Sequence, residues 1–174
     1  VAESYRLDAT MPESAGALAS ILLDLGMGEA SAIVLQKAVA AHPDARFVSG
    51  ALGLMVRAIG DEIDSDNPDA ARRVFRFIEP ILKVADGVAT NERIEPGPGI
   101  LWGMMGELEL REGSLEKATT FLTEAQNREK SARTLLSIAR IEMHQKKVAA
   151  ATGHAKEALG LEDAARDPVL TSEI

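Results

Sequence analysis

The sequence predicts an all-α protein built from repeated pairs of antiparallel helices, and three observations support this fold class. Ala, Leu and Glu recur along the 174 residues while aromatic residues make up only 3 %, a composition that favours helices over strands. Small and apolar residues also recur at a spacing of 33 positions, which is typical of helical repeats. Within single segments the apolar residues lie three and four positions apart, as between Val74 and Ala85, and this is helical periodicity.

The repeat is clearest between residues 106–118 and 139–151, which align without gaps at an offset of 33. Small residues coincide at both ends of these segments, and the apolar positions between them coincide as well. Two antiparallel helices approach closely only where small side chains face each other, so we expect Gly106 and Ala118 to lie at one helix crossing. Because a single pair cannot bury its apolar faces alone, such pairs stack on their neighbours.

The first third of the chain carries the same order of residues. A small residue is followed by a turn glycine, a second small residue, a bulky residue, an alanine and a closing proline. In the first unit these are Ala19, Gly26, Ser31, Leu35, Ala38 and Pro43. In the third unit the corresponding residues are Gly106, Gly113, Ala118, Leu122 and Ala125, and the large residues Trp102 and Met105 precede them. This pattern resembles the tetratricopeptide (TPR) repeat family over residues 12–164.

The resemblance implies a right-handed solenoid of about four TPR-like helix-turn-helix repeats with an enlarged second repeat. The units are expected at residues 12–45, 46–98, 99–131 and 132–164. The helices are expected near 12–25, 29–41, 45–59, 68–86, 99–112, 115–128, 132–145 and 148–160. Residues 1–11 would form a tail or the end of a preceding helix, with Thr10 and Glu13 as a capping box. Residues 165–174 would start a further or capping helix.

The second unit is longer than the others, since its small residue Gly53 lies 53 positions before Gly106. Gly60 matches the turn glycines of the neighbouring units, so the first helix of this unit is expected to end there. The next helix is expected to start at Asn67 and Pro68, an N-cap followed by a proline suited to the first helical turn. The sequence therefore predicts a long acidic loop between the two helices and a long exit loop after the second.

The charge and the cysteine count exclude several classes of function. A formal net charge of −8 argues against nucleic-acid binding, which depends on neutralising phosphates with Lys and Arg. It argues equally against docking on an anionic membrane surface. The absence of cysteine excludes disulfides and Cys-ligated metal sites and fits a cytoplasmic location. We therefore expect neither a nucleic-acid partner nor a membrane partner.

Two patterns that could indicate a cofactor are better explained by the repeat. The histidines His42, His144 and His154 lack the i, i+4 spacing of a helical metal pair. The segment Gly26-Met27-Gly28 resembles part of a phosphate-binding loop, but no strand precedes it and the repeat requires a turn there. The sequence thus predicts no metal site and no cofactor.

Two acidic features also fall short of a catalytic or metal site. The stretch 61–69 lacks the central glycine and the terminal glutamate of an EF-hand loop. Glu109 and Glu142 recur at one repeat position and could act as an acid and a base, but no nucleophile accompanies them. We interpret them as partly exposed residues or as partners of arginines on a neighbouring helix. The chain is not expected to be an enzyme and has no candidate catalytic residue.

The candidate partner-binding residues follow from the TPR resemblance. In TPR arrays the first helix of each unit lines a concave surface that contacts the ligand. This register marks Leu54, Arg57, Met104, Glu107, Leu110, Arg111, Arg133, Leu136, Arg140, Met143 and His144. In the first two units it also marks Glu13, Gly16, Ala17, Ser20, Leu23, Asp24, Phe47, Gly50, Ala51 and Ala58, and in the last two it marks Ile100, Gly103 and Ser137. An apolar strip edged by arginine suits an acidic or amphipathic peptide, unless Glu107 neutralises Arg111 and Arg140.

The leading hypothesis is a module that binds a partner protein or peptide in this concave groove, as part of a larger scaffold or regulatory protein. The alternatives are a small TPR-type secretion chaperone and the non-catalytic arm of a helical-repeat enzyme. The last helix pair would expose the apolar face that a following helix normally covers. This predicts either self-association through the truncated C-terminal repeat or cover by residues 165–174.

Overall fold

The computed structural model describes residues 11–89 and 94–161, and over these ranges the chain forms eight α-helices and no strand. The helices are α1 (Pro12–Asp24), α2 (Gly28–Ala41), α3 (Ala45–Asp64), α4 (Pro68–Ala89), α5 (Pro98–Arg111), α6 (Leu115–Arg128), α7 (Ala132–His144) and α8 (Val148–Leu159). The predicted all-α class is confirmed. Thr10 with most of the predicted N-terminal tail, and the predicted helix at 165–174, lie outside the described residues.

The chain divides into two compact units, residues 1–98 and 99–174. In the first unit α1 packs on α2 and α3, and α4 packs on α2 and α3, so that four helices share one core. In the second unit α7 packs on both α6 and α8. The contacts between helix pairs are compatible with a helical repeat. No helix in either described range is sufficiently long and apolar to cross a membrane.

Four turns of one conformation join the two helices of each pair. Each turn has a residue with positive φ, namely Gly26 (71°), Asp66 (53°), Gly113 (76°) and Lys146 (60°). In every case the amide N–H of the next residue donates to the carbonyl five positions before it, as Met27 does to Leu22 over 2.8 Å. Such a left-handed residue closes the C-terminus of a helix by satisfying its last carbonyls.

The long loop predicted in the second unit is wrong. Helix α3 continues through Gly60 to Asp64, and only residues 65–67 separate it from α4. The turn conformation predicted for Gly60 is taken by Asp66, and Asp is one of the few residues that tolerate positive φ. The predicted cap is confirmed, because the Asn67 side chain accepts a hydrogen bond from the amide of Ala70 at 3.3 Å. The second unit is thus enlarged mainly by longer helices.

Close approach of the helices depends on small residues at the predicted crossings. In the first unit the Ser31 hydroxyl donates to the Ala19 carbonyl of the paired helix at 3.0 Å, and both residues are fully buried. In the second unit a Cβ built on Gly106 would lie 2.6 Å from Cγ of Leu122. The backbone of α5 therefore packs directly against the side chain of Leu122, with no room for a side chain of its own.

Candidate partner-binding surfaces

Helices α1 and α3 enclose an open cleft of about 480 Å³ in the first unit, here called the α1–α3 cleft. Its floor is apolar and includes Leu35, Phe47 and Leu54, of which Leu35 is fully buried. The remaining lining residues are Pro12, Glu13, Gly16, Ser20, Asp44, Arg46, Gly50 and Ala51. Both helices therefore direct part of the predicted partner-binding register into one space, whereas Leu23 and Ala58 of that register are buried in the core.

Two helical glycines keep this cleft open. Gly16 lies in α1 and Gly50 lies in α3, and a Cβ added to either would meet no atom within 4 Å. Glycine inside a helix is less stable than alanine by roughly 0.5–1 kcal/mol. No close helix contact accounts for glycine at these positions, in contrast to Gly106.

The predicted partner-binding residue Arg57 holds α3 to α1. Its guanidinium lies 2.7 Å from a carboxylate oxygen of Asp24 and 3.7 Å from one of Asp61. The hydrogen bond to Asp24 raises the pKa of Arg57 above its ordinary value. Arg57 remains charged at neutral pH, but part of its bonding capacity is used within the chain.

In the second unit α5 and α7 face each other across a smaller cleft of about 240 Å³, which contains the predicted residues Met104, Glu107 and Arg133. Two guanidinium nitrogens of Arg133 each lie 2.6 Å from a carboxylate oxygen of Glu107. The sequence leaves open that Glu107 neutralises Arg111 and Arg140, and it does not predict the pair with Arg133. The two parallel hydrogen bonds fix α7 against α5 and occupy Arg133.

Two further predicted residues on α5 have different surroundings. Leu110 is partly buried and packs on the core cluster of Ala118, Leu122 and Ile141. Arg111, the last residue of α5, is exposed. Leu110 therefore contributes to the interior of the second unit, and Arg111 is the more accessible of the two.

The four remaining predicted residues line one open cleft of about 460 Å³ between α7 and α8, here called the α7–α8 cleft. Leu136 is only 8 % exposed and belongs to the floor, while Met143 is 55 % exposed. Arg140 and His144 are exposed on the same helix. The helix α8 completes the wall with Ala151, Thr152 and Ala155.

The interpretation of the repeated carboxylates needs correction. Glu109 is 1 % exposed and belongs to the core, so it is not partly exposed. Glu142 is partly exposed, as one of the two interpretations expects, and it pairs with Nδ1 of His154 on the adjoining helix at 2.8 Å. This contact is not among the predicted ones. The available signal was the separation of 12 residues, which equals that between Ala19 and Ser31.

Trp102, which belongs to the repeat pattern of the third unit, is partly buried. Its ring lies 5.7 Å from that of Phe121, centroid to centroid, and the guanidinium carbon of Arg128 lies 4.9 Å from its centroid. Phe121 and Arg128 both belong to α6. Trp102 therefore packs α5 against α6 through an aromatic contact and a cation–π contact.

Searches for a metal site and for relatives returned no match. Among the described residues, no group of three or more His, Cys, Asp or Glu is arranged to hold a metal ion. No family model, curated protein or solved structure matches the chain.

Proposed function

We propose that the chain is a protein-binding domain of TPR-like helical pairs, which takes a segment of a partner protein into the α1–α3 cleft. The observation that carries this proposal is the pair of helical glycines, Gly16 and Gly50, that keep the cleft open. A cytoplasmic location and a place within a larger scaffold or regulatory protein remain parts of the same proposal.

The energetic argument concerns what the two glycines cost. Alanine at both positions would stabilise the helices by about 1–2 kcal/mol in total, since nothing hinders the added methyl groups. A ligand that needs the space above Gly16 and Gly50 gives a reason for glycine at both positions. Ligand sites commonly trade stability for access in this way.

The chemistry of the cleft suits a peptide segment with an apolar anchor. Phe47 and Leu54 offer an apolar surface for one large side chain, and the Ser20 hydroxyl can exchange hydrogen bonds with a peptide backbone. Glu13 and Arg46, both exposed, supply charges of opposite sign at the cleft. An apolar floor with a few polar groups around it is the usual composition of a recognition pocket.

The test fills the cleft without disturbing the core. The double variant Gly16→Leu with Gly50→Leu should fold normally and unfold at an equal or higher temperature, because a Cβ at either position meets no atom within 4 Å. It should bind the partner at least about tenfold more weakly, since the anchor position is then occupied. The measurement is calorimetric titration with a partner captured by the wild-type chain and then purified.

The matched control is Gly87→Leu, which places the same side chain on an exposed helical glycine of α4 that also faces open space. We expect this variant to bind as the wild-type chain does. Equal affinities for the filled cleft, the control and the wild type would reject the α1–α3 cleft as the binding site.

A further inference from the structure

The α1–α3 cleft and the smaller cleft between α5 and α7, here called the α5–α7 cleft, are built alike. Asp44 caps α3 and Ser131 caps α7, each by accepting a hydrogen bond from the amide three residues later, at 2.9 and 3.1 Å. The two caps are 87 positions apart. The same offset relates lining residues of the first cleft to lining residues of the second, namely Gly16 to Gly103, Ser20 to Glu107 and Arg46 to Arg133.

The α5–α7 cleft shows what this arrangement binds. Arg133 is the second residue of α7, and two of its guanidinium nitrogens each lie 2.6 Å from a carboxylate oxygen of Glu107. The hydroxyl of Ser137 lies 3.5 Å from one of these oxygens. The side chain of Glu107 is only 17 % exposed. A carboxylate therefore occupies the space between the two helices, and two parallel hydrogen bonds from arginine hold it there.

The α1–α3 cleft has the arginine but lacks the carboxylate. Arg46 is the second residue of α3 and is exposed, and in the part of the chain that the structure describes it forms no ion pair. Ser20 stands where α5 has Glu107, and Gly50 stands where α7 has Ser137. The cleft has about 480 Å³, against about 240 Å³ for the α5–α7 cleft. The space that the glutamate fills in the second unit is thus open in the first.

The position of Arg46 disfavours a cation that has no anion beside it. The N-terminus of a helix carries partial positive charge, and α3 has no acidic residue in its first turn. Asp44 also lies at this end of α3, but its side chain is engaged in the cap. Glu13, the other acidic lining residue, is seven residues from Ser20 and so about 10 Å away along α1. A ligand carboxylate beside Ser20 would supply the missing negative charge.

We propose that the α1–α3 cleft binds an acidic side chain of the partner segment, with the carboxylate held between Arg46 and Ser20. Arg46 donates two parallel hydrogen bonds, as Arg133 does to Glu107, and the Ser20 hydroxyl donates a third. The apolar anchor of the same segment lies on Phe47. This inference rests on the proposed function, because it names the chemistry of the segment that the cleft binds.

The first experiment rebuilds the α5–α7 arrangement in the first unit. In the variant Ser20→Glu the new carboxylate takes the place of Glu107, and we expect it to pair with Arg46. The urea midpoint of unfolding should then be higher with Arg46 present than in the double variant with Arg46→Gln, relative to the matching Ser20 chains. The control Ala17→Glu adds the same charge at an exposed position of α1 outside the cleft and should show no dependence on Arg46. Equal dependence for both glutamates, or none for Ser20→Glu, would overturn the carboxylate position.

The second experiment selects ligands without a known partner. Random dodecapeptides displayed on phage are selected on the immobilised wild-type chain and on the Arg46→Glu variant. We expect the wild type to enrich Glu or Asp at a fixed distance from a large apolar residue, and the variant to enrich Lys or Arg at that position. A selected peptide, synthesised with its acidic residue changed to the amide, should bind the wild type at least about tenfold more weakly. Amidation of its C-terminus should leave the affinity unchanged, since the bound carboxylate belongs to a side chain.

The variant with Gly16→Leu and Gly50→Leu distinguishes failure of this inference from failure of the proposed function. Peptides that need the open cleft but carry no acidic residue would overturn the role of Arg46 and leave the cleft as the binding site. A selection that yields no peptide dependent on the open cleft would reject both proposals. Affinity lost on amidation would assign the carboxylate to a chain end. Selection that succeeds only on a chain without residues 1–10 would identify that segment as the occupant, and a dimer that the filled cleft dissociates would identify a second copy.

Discussion

Helical glycines in this chain are of two kinds, which differ in whether other atoms lie close to the glycine. Gly106 lies where α5 touches α6, and an added Cβ would lie 2.6 Å from Cγ and 3.2 Å from the backbone nitrogen of Leu122. Gly16 faces open space in the α1–α3 cleft. The first glycine is required by packing, whereas no contact requires the second, which lowers the stability of its helix.

This contrast predicts opposite effects of one substitution. Gly106→Ala should lower the free energy of unfolding by about 1–3 kcal/mol, because Leu122 and the backbone around it must move. Gly16→Ala should raise it by roughly 0.5–1 kcal/mol. Urea denaturation of both variants measures the difference, and equal stabilities would contradict the assigned surroundings.

The crossing at Gly106 could be predicted from sequence because two small residues 12 positions apart recur in successive repeats. Glu142 and His154 are also 12 positions apart and pair with each other. Neither of them is a small residue that would mark a close helix crossing, so their contact was not predicted. The pairing of Arg133 with Glu107 was also missed, since it depends on how α7 lies against α5. Register identifies the face of a single helix, while the partner of a charged side chain depends on the neighbouring helix.

At the scale of the elements, the four turns share a conformation but not a sequence. Glycine occupies the left-handed position at Gly26 and Gly113, whereas Asp66 and Lys146 occupy it in the other two turns. The helices beside the glycine turns were predicted within two residues at each end. Helix α3 was predicted five residues too short, because Gly60 was taken for the turn glycine and Asp66 gives a weaker signal.

The turns therefore differ in backbone strain, which a substitution can measure. Lys146 adopts a φ of 60°, where a residue with a Cβ is disfavoured by about 1–2 kcal/mol. Lys146→Gly should remove this strain and stabilise the chain by about 0.5–1 kcal/mol. The net gain is smaller than the strain because glycine has more conformational freedom in the unfolded chain, which favours unfolding.

Two comparison variants control for the general effect of glycine. Gly113→Ala should destabilise the chain by about 1 kcal/mol, because alanine would have to adopt the same positive φ. Lys147→Gly, at an adjacent residue with a φ of −90°, should give no gain. A loss of stability in Lys146→Gly, measured by thermal unfolding, would contradict the assigned turn.

At the scale of the whole molecule, the predicted partner-binding residues divide among separate clefts within the two units. Leu54 belongs to the α1–α3 cleft, Met104 to the α5–α7 cleft, and Met143 to the α7–α8 cleft. The repeat register placed these residues on first helices but could not say how their surface is divided. That division depends on side chains from the adjoining helices, such as Ala151 and Ala155 of α8.

The central claim, that a partner occupies the α1–α3 cleft, is tested most directly by amide hydrogen exchange of the chain with and without saturating partner. We predict slower exchange in peptides covering 12–24 and 45–58, because a segment bound between α1 and α3 suppresses opening of both helices. Peptides of α4 should exchange as in the free chain. Protection confined to α2 and α4, or no protection at saturation in α1 and α3, would contradict the claim.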